Sequence, residues 1–390
     1  MSGRIIELES DFDRFLLSPR VAIDPSRAIA VAARRWSDAV WTAAAAQGPM
    51  ELDRGLMSRG LDLACRPVFV CGAHRSGTTL VRDLLDAHPA LAVLPAEGTF
   101  FTNLERRLER LDPARQLAFF GGEWLRRLAN PIHKEPYWLL GRSSEEWSPY
   151  VSFARCLMAW WPIARAHVGP TASSWPLAAV ALAYAQCCCG FGGDSNLRYW
   201  VEKTPGNERF LSRLRAEFPD ARIIHVVRHP FAVFASHAHA ERSAGDRPPR
   251  AGRIAAQLLQ SYRVAATRSS DAADASYLLV RYEDLLASPS LTVERLAGFL
   301  GIAPLPILSR PTVAGAPAAS NSSFRTDMVP GRIEAAAPDW RELLDPSDRT
   351  RLVAVLGDSA AALGYDIGSL PAWRRRVLRI AGWMSRDVPR

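Results

Sequence analysis

Pro67-Val68-Phe69-Val70-Cys71-Gly72-Ala73-His74-Arg75-Ser76-Gly77-Thr78-Thr79-Leu80-Val81-Arg82-Asp83-Leu84-Leu85 is the stretch whose reading decides the fold. It opens as a short β-branched and aromatic run, the pattern of a strand buried on both faces. It closes with Leu80, Leu84 and Leu85 at helical spacing. Between the two, Gly72 and Gly77 let the backbone turn tightly and approach a ligand closely. The N–H groups of Ser76 to Thr79 then fall at a helix start, where the macrodipole adds about half a positive charge. With the hydroxyls of Ser76, Thr78 and Thr79, the segment reads as an anion cradle.

The same grammar recurs twice. Arg222-Ile223-Ile224-His225-Val226-Val227-Arg228 leads through Pro230 into a helical stretch, and Tyr277-Leu278-Leu279-Val280-Arg281 leads into LTVERLAGFLG. Strand, loop and helix three times over predict an α/β fold, a P-loop-type parallel sheet flanked by helices. Residues 25–47 read as a helix within an N-terminal helical segment, 1–60. The α/β domain is expected over 61–342 and a C-terminal helical extension over 343–390. Within the domain, 102–200 reads as a helical, Trp-rich insertion over the sheet's carboxyl edge. It holds Trp124, Trp138, Trp147, Trp160, Trp161, Trp175 and Trp200, seven of the twelve tryptophans. Trp clusters usually pack cores, but this one also permits an aromatic-walled acceptor pocket.

Composition narrows the function. With 48% hydrophobic residues and 23% charged ones, the 390-residue chain has enough apolar material for a large core. No apolar run reaches the roughly 18 residues that span a bilayer. The start MSGRIIELES lacks the apolar region of a secretory signal. The six cysteines, three of them consecutive at 187–189, lack the C-x-x-C spacing of a zinc site, so a reduced cytoplasmic protein is expected. Of the 48 basic residues only Lys134 and Lys203 are lysines. The net charge of +8 with this arginine skew favours a polyanionic small ligand; nucleic acid is not expected, because no recognition-helix stripe of cations appears. A retained lysine in such a chain points to a need for a compact ammonium. The terminal PAWRRRVLRIAGWMSR is basic and amphipathic, which reads either as a solvated helix or as weak membrane-surface contact.

The loop has the G-x-x-x-x-G spacing of a nucleoside-triphosphatase phosphate loop, but Thr78-Thr79 stands where those enzymes carry Lys-Ser/Thr. The missing ammonium is the one that reaches the β- and γ-phosphates, so a nucleotide without a γ-phosphate is expected. A second constellation is Glu202-Lys203-Thr204-Pro205, followed by Arg228 at a strand's carboxyl end and Ser236 in the next helix. An arginine fork and a hydroxyl at that edge suit a phosphomonoester.

Together these residues resemble the sulfotransferases that use 3′-phosphoadenosine-5′-phosphosulfate (PAPS), in particular their bacterial and tyrosylprotein-like branch. The resemblance covers about 66–102 and 200–342. It implies that Arg75, Ser76, Gly77, Thr78 and Thr79 bind the 5′-phosphosulfate, and that Arg228 and Ser236, eight positions apart, bind the 3′-phosphate. Arg281-Tyr282-Glu283-Asp284-Leu285 is similar to the family's Y-E-D-L segment, with Tyr282 near the adenine. Ser322-Ser323-Phe324 is similar to its adenine-flanking T-S-F segment, so Ser323 and Phe324 join the site, as does Arg332 on a basic loop closing over the 3′-phosphate. Lys203 then contacts the transferring sulfuryl group, Arg75 steadies the leaving oxygen, and no metal is expected. Pro205 occupies the position of the catalytic histidine of the cytosolic branch, so the base comes from elsewhere. Glu97, in Leu94-Pro95-Ala96-Glu97-Gly98, stands where the tyrosylprotein-like branch has its catalytic glutamate, allowing one inserted residue, and the resemblance implies that it is the general base. Glu202, His74 and His237 are lesser candidates. His225 and His229, in a strand-to-loop segment, do not share a face, and a metal site there is rejected. The resemblance thus implies sulfuryl transfer from PAPS to an acceptor hydroxyl of a small molecule, glycan or lipid, with release of PAP. A small-molecule kinase and a non-catalytic nucleotide-binding scaffold are the alternatives.

Overall fold

The computed structural model describes residues 25–129, 139–140, 148–169, 172–192, 195–243, 251–269, 274–319, 322, 324, 327–334 and 340–380. At its centre lies a five-stranded sheet in the order β2-β3-β1-β4-β5. The strands are β1 (Pro67–Cys71), β2 (Leu91–Val93), β3 (Tyr199–Lys203), β4 (Arg222–Val227) and β5 (Tyr277–Arg281). All four pairings are parallel. A short antiparallel pair, β6 (Thr312–Val313) and β7 (Ala316–Pro317), stands apart.

The expected strands β1, β4 and β5 are present. β2 and β3 are additional to these, and β3 places Glu202 and Lys203 of the second constellation at a strand's end. A strand ending in Glu-Lys contradicts the apolar pattern of a buried strand, yet all five residues of β3 are buried. It is tolerated because both charged side chains find partners at the sheet's edge, as described below.

Helices cover both faces. On one, α3 (Thr78–Leu85) and α9 (Pro289–Leu300) pack on Val68, Val70, Val201, Ile224 and Val226. The opposite face is shared by two layers. α7 (Pro230–Ser243), α8 (Ala251–Ser269) and α10 (Pro346–Ala362) share an apolar core with Val227. α1 (Pro25–Gln47), α2 (Arg54–Ala64), α4 (Pro113–Ala129), α5 (Ser148–Val168) and α6 (Trp175–Cys188) form a second core on Phe69, Ala92, Leu94 and Trp200.

The insertion therefore lies on a face of the sheet and not over its carboxyl edge. Its apolar residues run along the whole of α6, so they need a broad apolar partner, which a sheet face supplies and a polar loop edge does not. The tryptophans follow the same rule. Trp124, Trp160 and Trp200 are fully enclosed, and Trp161 and Trp175 nearly so. Trp160 lies against Gly60 so closely that a Cβ there would stand 2.1 Å from its ring. Trp124, Trp160, Trp175 and Trp200 build the core and wall no pocket, while Trp161 edges a hollow with Pro113, Leu117 and Arg165, away from the sheet's carboxyl edge; Trp138 and Trp147 lie outside the described residues. α11 (Ala372–Ile380) packs beside α10. No helix among the described residues is long and apolar enough to cross a membrane.

Candidate functional site

The carboxyl ends of all five strands converge on one edge, where parallel α/β sheets bind their ligands. β1 delivers Gly72–Thr79, β2 leads to Glu97, β3 ends at Lys203, β4 leads to Arg228 and β5 to Tyr282. Between them is a cavity of about 310 Å³.

The first wall is the glycine-bounded loop. Gly72 has φ +140°, and a Cβ there would stand 2.2 Å from the Val226 carbonyl oxygen. Its N–H donates to the buried Glu208 carboxylate at 3.0 Å, and its carbonyl accepts from Gly206 N–H at 3.0 Å. Ser76 is fully buried and its hydroxyl donates to the Ala73 carbonyl at 2.7 Å. That hydroxyl tightens the loop and does not face the cavity, whereas Thr78 and Thr79 line it. Gly77, with φ +101°, caps α3 without a side chain, so the helix start opens onto the cavity. A Cβ at Gly77 would stand 2.4 Å from the Tyr282 ring. Tyr282 in turn carries the Arg228 guanidinium 4.4 Å from its ring centroid.

Arg75 is the strained member, held at φ +70°, which costs a non-glycine residue on the order of 1 kcal/mol. Two contacts hold it there. Its Nε donates to Ser236 Oγ at 3.1 Å, and its carbonyl accepts from Arg228 Nη1 at 3.2 Å. Two guanidiniums, a hydroxyl, a helix start and a tyrosine face thus form one continuous wall of positive charge and donors. The buried Tyr262 hydroxyl donates to the Arg228 carbonyl and fixes the end of β4. Phe324, Ser322 and Arg332 also line the cavity, with Phe324 stacked on His239 at 4.2 Å. Ser323 lies outside the described residues.

The facing wall carries the carboxylates. Glu97 lines the cavity with its side chain 38% exposed, while Lys203 lies behind it, 3% exposed, with Nζ 2.5 Å from Glu97 Oε1. Burial pushes the Glu97 carboxyl up, but the Lys203 ammonium outweighs it and holds the group below the usual carboxylate range. Burial likewise draws the Lys203 ammonium down against the pull of Glu97. The loop carrying Glu97 is pinned from several sides. Arg82 Nη1 donates to the Pro95 carbonyl at 2.6 Å, and Arg127 of α4 donates to the Glu97 carbonyl. Arg127 also reaches Thr99 Oγ1 at 2.8 Å, and Gly98 N–H donates to Glu202 Oε1 at 2.8 Å.

Glu202 is wholly buried and does not line the cavity. It accepts from Gly98 N–H, Thr204 Oγ1 and Asn207 Nδ2, so it is a buckle for the loop and out of reach as a base. His74 lines the cavity, and His237 stands behind it at 5.7 Å between ring centroids. Burial, and then His74, push His237 down to about 4, so it is neutral near pH 7. His225 is a core residue between Tyr277 Oη at 2.7 Å and Ser261 Oγ at 3.0 Å, and His229 stacks on Trp340. Among the described residues no group of three or more His, Cys, Asp or Glu is placed to hold a metal ion.

Asp83 is a cavity residue that sequence reasoning missed. It is buried, bonded to Arg82 Nε at 2.7 Å, and pushed up to about 6 by burial against the pull of Arg82. Its spacing of four from Thr79 on a helix that starts at the cavity was the available signal.

Glu202 gives a pH prediction. Burial raises its carboxyl from an ordinary 4.5 to about 7. Between those values the folded state binds more protons than the unfolded one, so stability falls as pH rises through the window. In denaturant unfolding from pH 5 to pH 8, Glu202→Gln is expected to gain on the parent by on the order of 3 kcal/mol. Parallel pH curves for the two proteins contradict this.

A sequence model of the family described as "Sulfotransferase family" matches residues 67–306. No curated protein matches the chain. Among solved structures, a sulfotransferase domain from the curacin biosynthetic pathway is 20% identical, covering 77% of this chain and 98% of its own, with a TM-score of 0.44. A sulfotransferase from Mycobacterium tuberculosis H37Rv is 16% identical over 79% of this chain and 85% of its own, with a TM-score of 0.41. One from Mycobacterium avium is 15% identical over 93% and 90%, with a TM-score of 0.44.

Proposed function

The chain belongs to the sulfotransferase family, and from that premise we propose that it moves a sulfuryl group from PAPS to an acceptor hydroxyl and releases PAP. The observation that carries the choice of donor is the pairing of two unlike walls across one cavity. Arg75, Arg228, Ser236 and the start of α3 make a polyanion wall, and Glu97 backed by Lys203 faces it. A 3′-phosphate suits the Arg228 fork with Ser236, the adenine suits the Tyr282 and Phe324 faces, and the 5′-phosphosulfate suits Arg75 and the Thr78-Thr79 donors.

In the reaction the acceptor oxygen forms a bond to sulfur while the bond from sulfur to the bridging oxygen breaks. The acceptor proton passes to a Glu97 carboxylate oxygen, and the electron pair of the broken bond stays on the 5′-phosphate of PAP. Sulfur keeps its oxidation state. Negative charge grows on the leaving oxygen, where Arg75 and the helix start oppose it, so catalysis is electrostatic and positional. Lys203, buried behind the carboxylate and off the cavity wall, acts through Glu97, which its ammonium keeps ionised before transfer. The cations needed for this reaction all come from side chains and the helix start, so it calls for no metal. Six free thiols, including Cys156 and Cys187 with their sulfurs 3.2 Å apart, fit a reducing cytoplasm.

The test is transfer of label from sulfur-labelled PAPS to a panel of phenols, sugars and lipid headgroups without Mg²⁺. Labelled acceptor and stoichiometric PAP support the reading. Phosphorylation of the same panel by ATP with Mg²⁺, and none from PAPS, would replace it with a kinase.

A further inference from the structure

α11 has the sequence AWRRRVLRI, with four arginines and no acid. One contact sets its rotation: Arg375 Nη1 lies 2.6 Å from Oδ1 of Asp358 on α10. At about 100° per residue, that contact turns Arg375 towards the protein body and carries Trp373 and Val377 to the opposite face, about 40° apart. Their exposure agrees, with Trp373 at 69% and Val377 at 56%. Arg374 and Arg376 fall on the two flanks of this pair, and both are exposed. The outward face is therefore an apolar ridge with a guanidinium on each side. In the sequence the same spacing runs on to Ile380 and Met384.

We propose that α11 docks the protein on an anionic lipid surface, lying in the interface plane. Trp373 and Val377 would enter the boundary between headgroups and acyl chains, while Arg374 and Arg376 meet lipid phosphates. Charge selects this occupant over a second copy of the chain. Two such ridges face to face would set four flanking arginines of like sign, two from each copy, against one another, within a chain already at +8. An anionic bilayer offers negative charge on both flanks and an apolar bed between them. One short helix gives reversible attachment, strengthened by surface charge and weakened by salt.

The experiment is sedimentation of the full chain with sucrose-loaded vesicles of phosphatidylcholine, alone or with about 30% phosphatidylglycerol. Partition onto the anionic vesicles is expected to exceed that onto neutral ones at least tenfold at about 0.05 M salt, and to collapse at about 0.5 M. Trp373→Ser with Val377→Ser, and separately Arg374→Glu with Arg376→Glu, should each lower it about tenfold or more, with Tm and PAP affinity unchanged. Equal partition onto both vesicle types, no partition at all, or variants that bind like the parent would each overturn the assignment. Concentration-dependent dimers abolished by Trp373→Ser, with no vesicle binding, would overturn it in favour of a second copy.

Discussion

PAP binds the Arg228→Ala variant about a hundredfold more weakly than the parent, or worse, if Arg228 grips the 3′-phosphate as proposed. A hydrogen bond to a charged group contributes about 1.5–3 kcal/mol, and a guanidinium can make two to one phosphate. Removal also frees the Arg75 carbonyl, which Arg228 holds at 3.2 Å against a left-handed backbone. Arg228→Lys keeps the charge but loses the fork and the flat contact with Tyr282, so an intermediate loss of roughly tenfold is expected. Adenosine 5′-phosphate supplies the control. It has no 3′-phosphate, so calorimetry should find Arg228→Ala weakening it far less than PAP, by no more than the loosened Arg75 loop accounts for. Equal losses for both ligands would mean that Arg228 only shapes the wall.

Glu97→Gln should lower kcat by about 10²–10⁴ while PAP affinity stays within a few fold. The amide can still accept from Lys203, so the loop keeps its shape, but it cannot take the acceptor's proton. The pH profile makes the test specific. A base works deprotonated, so the parent's rate is present above the Glu97 pKa and lost as pH falls through it. Because Lys203 holds that pKa below the usual carboxylate range, the acid limb should lie lower than for an ordinary glutamate. Lys203→Met should move the limb upward, and Glu97→Gln should have none. A Glu97→Gln enzyme that keeps both its rate and its acid limb would pass the role to another group, with Asp83 and His74 next in the cavity.

What the sequence disclosed depended on whether the signal was contiguous. β1, its loop and α3 form one unbroken stretch, β4 is a β-branched run and β5 a short apolar one, each with a cation at the carboxyl end, so the sheet edge and its anion wall could be read directly. β2 has only three residues, below the length at which alternation shows. β3 hid because Glu202 and Lys203 look solvated until their partners are known. Among those partners Gly98 and Glu97 are more than a hundred residues away in the chain. Glu208, which holds the anion loop, is as remote from Gly72, and Arg127, which holds the base loop, stands about thirty residues beyond Glu97. The tryptophans were legible as large groups needing cover, but size and spacing do not say whether a ring packs in a core or lines a pocket. Ser76 was read as a donor from its position, whereas its hydroxyl is spent closing the loop on Ala73.

The proposed donor stands or falls on one titration. Calorimetry with PAP and with ATP, each with and without Mg²⁺, should find PAP bound tightly and without regard to the metal, and ATP bound weakly at best. ATP binding that requires Mg²⁺, with no heat from PAP, would contradict PAPS as the donor and assign the cavity to a triphosphate.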